Sequence, residues 1–385
     1  MNSKTISILA AIIVVSMAII FLSGRSNEAG DPLLGTTVFP DLKEMLAEVN
    51  RIGIATVKGE VNLVSLDDRW VVNDRDDYPA SFDKLSDLLD GLAGANVAER
   101  KTGKSEYFDR LGLRDLDHEE SQAVKVSIMT SAKEPLELLV GKAASNREGQ
   151  YFRYPGEQQT WMMSRELDIE TEAQDWLEPT IINIDSERIR KVTQTSAAGE
   201  QLTVLREGGE DANFSVVDLP ADKELKYGTV ANDLGRSLVN VRLKDVQKAD
   251  GFDFSGGGEA RYWCRNGLEI SVLTKEKDGQ YYLGFSVEAG EPDPQSSPEE
   301  DSADQEPAED ESADEEQADA NPSDEKAPAS AMESDHVTLA EEVEKLNTAL
   351  HSWVFEVTQY AFDDFTKTLD DLVEEEKEPV DSTDT

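Results

Sequence analysis

Histidine and cysteine are the residues best able to carry catalysis or bind a metal in this chain, and both are scarce. The histidines are His118, His336 and His351, and the single cysteine is Cys264. A hydrolase triad needs a nucleophile, a base and an orienting acid, and a zinc site needs clustered cysteine and histidine. The histidines are scattered, and no Gly-x-Ser-x-Gly elbow occurs. We therefore predict no catalytic residue and no metal ligand, and a half-buried structural role for Cys264.

Loops that bind phosphate or calcium are also missing from the sequence. No run matches Gly-x-x-x-x-Gly-Lys-Ser/Thr, and residues 256–258 are glycines in a serine-containing turn. Residues 74–77 and 115–120 gather carboxylates without the spacing and central glycine of a twelve-residue calcium loop. The sequence predicts no cofactor. Paired carboxylates could still hydrolyse glycosides, and acidic residues are so abundant that no pair stands out. We therefore predict that the protein is not an enzyme, with a carboxylate-based hydrolase as the alternative.

The charge balance limits the partners that such a chain can have. Its 385 residues include 81 acidic and 37 basic side chains, which give a net charge of -44. This field repels nucleic acid and anionic lipid, so we predict no nucleic-acid partner. A single cysteine cannot form an internal disulfide, so the fold depends on its hydrophobic core. The length is sufficient for two ordinary domains.

An unbroken run of apolar and small residues at 6–22 predicts a transmembrane anchor within residues 1–24. The run is near the lower limit for crossing a bilayer as a helix. A cleaved secretory signal is the alternative, but the run is long for one and lacks a small-x-small cleavage site. The short N-terminus carrying Lys4 favours an N-in, single-pass topology. We therefore expect an inner-membrane location with the soluble region in the periplasm, after a turn-rich linker at 25–35.

The body of the chain predicts an α+β fold made of two similar units, at 36–180 and 181–289. Each unit has short strands, an amphipathic helix and then a meander of strands. Two sequence echoes favour a duplication: residues 69–72 resemble 213–217, and residues 149–152 resemble 279–282. The alternative is that two α+β segments look alike at this level. Strands are predicted at 52–57, 61–66, 69–72, 124–130, 136–141, 151–154, 160–163, 189–195, 201–206, 214–217, 241–247, 261–264, 268–274 and 281–287, and helices at 42–50, 82–92, 166–177 and 230–238.

The composition changes abruptly at residues 290–335. Between Glu291 and Asp335 there are 18 acidic residues, one lysine and no aromatic residue. Such a segment buries too little apolar surface to fold, so we predict a disordered acidic insert. Apolar residues at helical spacing return at 336–376 and predict a C-terminal helical segment, as one long helix or two shorter ones. Residues 377–385 are predicted to be a disordered tail.

Several short motifs in order resemble the family of the domain of unknown function 4340. They include Val38-Phe39-Pro40-Asp41-Leu42, Arg69-Trp70-Val71-Val72 before Tyr78-Pro79-Ala80, Tyr107 to Leu113, and Leu139-Val140-Gly141 before Tyr151-Phe152. Two further stretches, 346–355 and 369–372, are similar to the end of that family. The resemblance implies an N-terminally anchored protein that works beside ABC transporters of the gliding-motility auxiliary type. It implies no catalytic residues.

Two functions of different classes follow from these patterns. The first is a membrane-anchored, extracytoplasmic interaction or assembly subunit, non-catalytic and auxiliary to an ABC-type transporter, with a permease and ATPase complex as its partner. The second is an extracytoplasmic module that binds a glycan or a peptide. The oligomeric state, the ligand and the docking face cannot be read from the sequence.

Overall fold

The computed structural model describes residues 31–131, 134–210, 212–292 and 338–374. The predicted anchor at 6–22, most of the linker and of the acidic insert, and the tail at 377–385 lie outside these residues. Within them, no helix is both long and apolar enough to cross a membrane. The chain divides into two compact units, Met1–Pro179 and Thr180–Thr385. The fold is mixed α+β, with mostly antiparallel sheets and few helices, as the sequence predicts.

The first unit contains a nine-stranded sheet among its described residues. Its order is β4-β3-β2-β1-β6-β7-β8-β9-β5, and every neighbouring pair is antiparallel. Asp67 and Asp68 both take positive φ in the two-residue turn from β2 to β3, as a tight hairpin requires. The strands are β1 Val49–Thr56, β2 Gly59–Leu66, β3 Arg69–Val72, β4 Tyr78–Pro79, β5 Val97–Arg100, β6 Val124–Thr130, β7 Leu136–Ala143, β8 Gln150–Arg153 and β9 Thr160–Met163.

Three α-helices accompany this sheet in the described residues: α1 Leu42–Met45, α2 Phe82–Ala93 and α3 Phe108–Leu111. The α1 helix is shorter than predicted, because Val49 already begins β1. Most of the predicted α2 stripe is buried, with Leu85, Leu88 and Leu92 at 2% exposure or less. Its first residue, Phe82, is 66% exposed. The apolar stripe therefore begins one turn later than the sequence suggests.

The helix predicted at 166–177 is wrong. Only Ala173–Trp176 is helical, as one 3-10 turn. The chain after it pairs with the strand end at β4: Ser81 N donates to Trp176 O at 2.8 Å, and Glu178 N donates to Pro79 O at 2.8 Å. The apolar residues of 166–177 are at helical spacing, but these long-range hydrogen bonds satisfy the backbone without a helix. Tertiary pairing therefore prevails over the local preference.

A covering segment at 104–123 packs onto one face of the first sheet. Phe108, Leu113 and Ala123 are buried against Leu139 of β7. Arg153 of β8 holds this segment against the sheet, and its side chain is only 2% exposed. Its guanidinium donates to Leu113 O at 3.1 Å, Glu157 O at 2.8 Å and Asp115 Oδ1 at 2.6 Å, and it lies 4.7 Å from the centre of the Phe108 ring.

The second unit has an eight-stranded sheet with the order β13-β12-β11-β16-β17-β18-β19-β15, also antiparallel throughout. A two-stranded sheet of β10 and β14 lies beside it in the same unit. One short α-helix, α4 Asn232–Arg236, precedes the last strands of the meander. The strands are β10 Thr180–Ile182, β11 Ile189–Thr195, β12 Gln201–Leu205, β13 Ser215–Val216, β14 Val241–Arg242, β15 Asp245–Lys248, β16 Gly258–Cys264, β17 Leu268–Lys277, β18 Gln280–Ala289 and β19 Trp353–Val357.

The C-terminal segment predicted as helical at 336–376 is helical only in part, because it also contains a strand. It forms α5 Leu339–Leu350, then β19, then the short helices α6 Gln359–Asp363 and α7 Leu369–Leu372. A capping box at Thr338 and Glu341 begins α5. The prediction is wrong at Trp353–Val357 because a continuous apolar run fits a buried strand as well as a helix. The strand β19 lies between β18 and β15 inside the sheet, so this segment belongs to the core of the unit.

Asn347 of α5 holds the helix against β18. The pairing of β18 with β19 covers only Tyr281–Gly284, which leaves the later part of β18 without a strand on that side. There Asn347 Nδ2 donates to Val287 O at 2.6 Å, and Val287 N donates to Asn347 Oδ1 at 3.0 Å. The amide thus replaces a neighbouring strand at Val287.

The two sheets share one strand order. When β4 is set aside, β3-β2-β1-β6-β7-β8-β9-β5 corresponds one to one with β13-β12-β11-β16-β17-β18-β19-β15. The sequence echoes fall on corresponding strands: residues 69–72 form β3 and residues 215–216 form β13, while β8 and β18 begin at Gln150 and Gln280. The units differ mainly in their connections, and two of these differences contribute to the site described next.

Candidate functional site

A cavity of about 910 Å³ lies in the second unit. Ligand pockets in proteins commonly have volumes of about 300–1,000 Å³. Four segments of the unit contribute to its wall: the approach to β11, the loop after β12, the β16–β17 turn and the middle of α5. The lining residues are Asn183, Ile184, Arg188, Gly208, Gly209, Glu210, Arg265, Asn266, Glu342, Lys345 and Leu346.

Two of these segments have no counterpart of similar length in the first unit. Residues 206–214 join β12 to β13, whereas only residues 67–68 join β2 to β3. Residues 290–352, which include α5, join β18 to β19, whereas only residues 154–159 join β8 to β9. Part of the cavity wall is therefore built from segments that the second unit adds to the shared strand order.

An ion pair between the sheet and α5 forms part of the cavity wall. Arg188 and Glu342 meet through two contacts of 2.9 Å, in which Nη1 faces Oε1 and Nη2 faces Oε2. This fork-to-fork arrangement is the strong form of a guanidinium–carboxylate pair. The hydrogen bond that Arg188 donates to Glu342 raises the pKa of Arg188. Asn266 also donates to Glu342 Oε2, at 3.2 Å.

A second arginine shapes the glycine-containing loop of the cavity. Arg265 Nη2 donates to the carbonyl oxygens of Gly208 at 2.9 Å and Gly209 at 3.1 Å. Lys345 lies one helical turn after Glu342 and is exposed. Ile184, which is buried, and Leu346, which is half-buried, supply the apolar part of the wall.

Further positive charge lies near this wall. Arg206 is 7% exposed, and it donates from Nη1 to Ser186 O at 3.0 Å while its guanidinium lies 4.3 Å from the centre of the Phe214 ring. Burial, followed by the nearby charge of Arg265, lowers the pKa of Arg206. Its Nε has no hydrogen-bond partner in the described part of the chain. Guanidinium groups thus accumulate locally in a chain whose net charge is -44.

The arrangement is suited to binding. Arg188 and Glu342 hold each other, and Arg265 is held by backbone carbonyls. Among the described residues, no histidine lines the cavity. His118 is exposed in the first unit, with Nε2 3.7 Å from Asp117, and His351 is exposed after α5. His336 lies outside the described residues. Within the described ranges no three histidine, cysteine or acidic side chains are grouped closely enough to hold a metal ion.

Sequence reasoning did not find the cavity residues. Arg188 and Glu342 are 154 positions apart, and only the folded chain brings them together. On a predicted amphipathic helix, Glu342 and Lys345 look like members of a solvated face. The two acidic runs considered for calcium have other roles: Asp74 Oδ2 accepts from Asn62 N at 2.6 Å, and Asp115 pairs with Arg153.

Cys264 is the last residue of β16 and is more deeply buried than predicted, at 3% exposure. Burial raises the pKa of its thiol to about 12. At pH 8 the thiolate fraction is then about one in ten thousand, against roughly a quarter for a free cysteine of pKa 8.5. We expect no reaction of the native chain with a disulfide reagent such as Ellman's reagent at pH 8, and one equivalent of reaction in guanidinium chloride. Rapid native labelling, followed by absorbance, would contradict this burial.

Comparison with known proteins gives one match. The family model of a domain of unknown function, DUF4340, matches residues 70–253. The resemblance to the DUF4340 family is thereby shown over these residues. The DUF4340 match begins in β3 and ends after β15, so it includes Arg188 and the loop at 206–214 but not α5. No curated protein and no solved structure is detectably similar to the chain.

Proposed function

We propose that this protein is a non-catalytic interaction subunit, anchored in the inner membrane through residues 6–22, that assembles with an ABC-type transporter. Its soluble region lies in the periplasm, and its partners are the permease and ATPase of the complex. The anchor confines the soluble units to the membrane surface, which raises their effective concentration toward integral partners.

The observation that carries the proposal is the position of the cavity. Two units have the same strand order, and two of the four segments that line the cavity belong to connections that are longer in the second unit. This difference between the units supports recognition of the partner by the second unit. The corresponding strand order and the two sequence echoes support an internal duplication as its origin.

Affinity capture from native membranes tests the proposal. The full chain is extracted in mild detergent and captured, and we expect a permease and an ATPase in stoichiometric amounts. Lys345→Glu reverses one charge on the exposed rim of the cavity, so this variant is expected to lose these partners. Lys58→Glu makes the same charge change in the exposed β1–β2 turn of the first unit and is expected to retain them.

Two results would count against the proposal. Recovery of the chain alone, at both low and high salt, would contradict a stable complex with the permease and the ATPase. Equal recovery of partners by wild type and Lys345→Glu would leave the complex but place its recognition surface away from the cavity.

A further inference from the structure

The geometry points to a carboxylate-bearing ligand, carried on a short apolar body, as the occupant of the cavity in the second unit. This inference uses the cavity of the proposed function and adds the chemical class that it recognises. It does not require the transporter.

The first observation is that the wall already binds one carboxylate. Glu342 lies fork-to-fork on Arg188 at 2.9 Å for both contacts, and Asn266 donates to the same group. Glu342 belongs to α5 and is therefore a tethered carboxylate bound by cavity residues. Bidentate binding of a planar carboxylate is the interaction for which arginine geometry is best suited.

The second observation is that the wall carries net positive charge in addition to this pair. Among its charged residues, Arg188, Arg265 and Lys345 are cations, and Glu210 and Glu342 are anions. Since Arg188 and Glu342 neutralise each other, the remainder is one positive charge in excess. The ammonium of Lys345 is on the exposed side of α5, three residues after Glu342, so an incoming carboxylate can reach it without breaking the pair.

The third observation concerns the rest of the ligand. Ile184 and Leu346 give the wall an apolar part, which a short aliphatic group would cover. The net charge of -44 opposes any anion at long range. Salt at 0.15 M screens that repulsion beyond about 8 Å, so the nearby cations determine binding at physiological ionic strength.

Matched acids and amides test this inference on the full chain in detergent. One pair is 4-methylpentanoate and 4-methylpentanamide, and the other is N-acetyl-Ala-Leu with a free or an amidated C-terminus. Saturation-transfer NMR at 0.15 M NaCl gives a Kd for each probe. A charge-assisted hydrogen bond is stronger than a neutral one, so we expect at least one acid to have a Kd about tenfold lower than its amide. Preference for the peptide acid would assign the carboxylate to a peptide C-terminus, and preference for 4-methylpentanoate would assign it to a small organic acid.

Two substitutions of opposite expected effect locate the binding. Lys345→Glu is expected to raise the Kd of the preferred acid about tenfold or more, whereas Lys58→Glu leaves it unchanged. Glu342→Gln removes one of the two negative charges of the wall and is expected to lower the Kd severalfold, which a merely structural role of Glu342 would not do. Because both residues lie on α5, unfolding curves of each variant accompany the titrations.

Equal Kd values for acid and amide in both pairs would overturn the inference, as would an unchanged Kd in Lys345→Glu. These outcomes differ from failure of the proposed function. If the transporter is captured and no acid binds, the interaction subunit stands and the carboxylate ligand does not. If an acid binds and the chain is captured alone, the carboxylate ligand stands and the interaction subunit does not.

Discussion

Replacing Phe355 by alanine is expected to lower the free energy of unfolding of the second unit by about 3–5 kcal/mol. Phe355 is fully buried at the centre of β19. It pairs with Val246 of β15 on one side and Leu283 of β18 on the other, and its ring meets Phe285 edge-on at 5.8 Å. Truncation leaves a cavity in the layer that joins three strands, which the surrounding sheet can only partly refill.

Hydrogen exchange followed by mass spectrometry on the full chain measures this effect and localises it. Protection is expected to fall in β15, β18 and β19, with little change in the first unit. Tyr360→Ala is the matched control, since Tyr360 is 81% exposed in the nearby α6 and its loss should cost less than about 0.5 kcal/mol. If Phe355→Ala were as mild as Tyr360→Ala, β19 would not be part of the core.

Replacing Arg153 by methionine is expected to destabilise the first unit by about 2–4 kcal/mol. Methionine fills a similar volume but cannot donate, so the carbonyl oxygens of Leu113 and Glu157 lose a buried donor. The contact with the Phe108 ring loses its positive charge at the same time. The segment at 104–123 should then detach from the sheet before the strands separate.

Urea unfolding of the full chain, with hydrogen exchange to assign the unit, measures this loss. Arg100→Met is the comparison, because the Arg100 side chain is 59% exposed and its pairing with Asp31 at 3.7 Å lies at the surface. That change should cost less than about 1 kcal/mol. Similar losses for the two variants would mean that the buried guanidinium of Arg153 contributes no more than a surface one.

Most strands of this protein were predictable because its turns are explicit, whereas β4, β5, β10 and β19 were not predicted. Runs such as Arg69–Val72, Val124–Thr130 and Ile189–Thr195 agree with the prediction at both ends. Each is bounded by polar or glycine-containing turns, which fix where pairing stops. Asp67 and Asp68 illustrate this, because aspartate tolerates the positive φ that a two-residue hairpin turn needs.

The errors arose where long-range pairing decides the structure. Trp353–Val357 has an apolar pattern compatible with a helix, and only its neighbours β15 and β18 make it a strand. The candidate site has the same origin: Arg188, Arg265 and Glu342 are ordinary charged residues in the sequence, and their convergence depends on strand order. The membrane anchor, by contrast, rests on the sequence alone, since residues 6–22 lie outside the described part of the chain.

The place of β19 in the sheet has a consequence for the order in which the chain is made. Within the described part of the chain, the sheet partner of β15 is β19, whose residues are synthesised more than a hundred positions later. Until Trp353–Val357 has been synthesised, β15 and one edge of β18 lack their neighbouring strand. Apolar groups such as Val246 stay uncovered during that time. The second unit can therefore complete its sheet only after Trp353–Val357 is available.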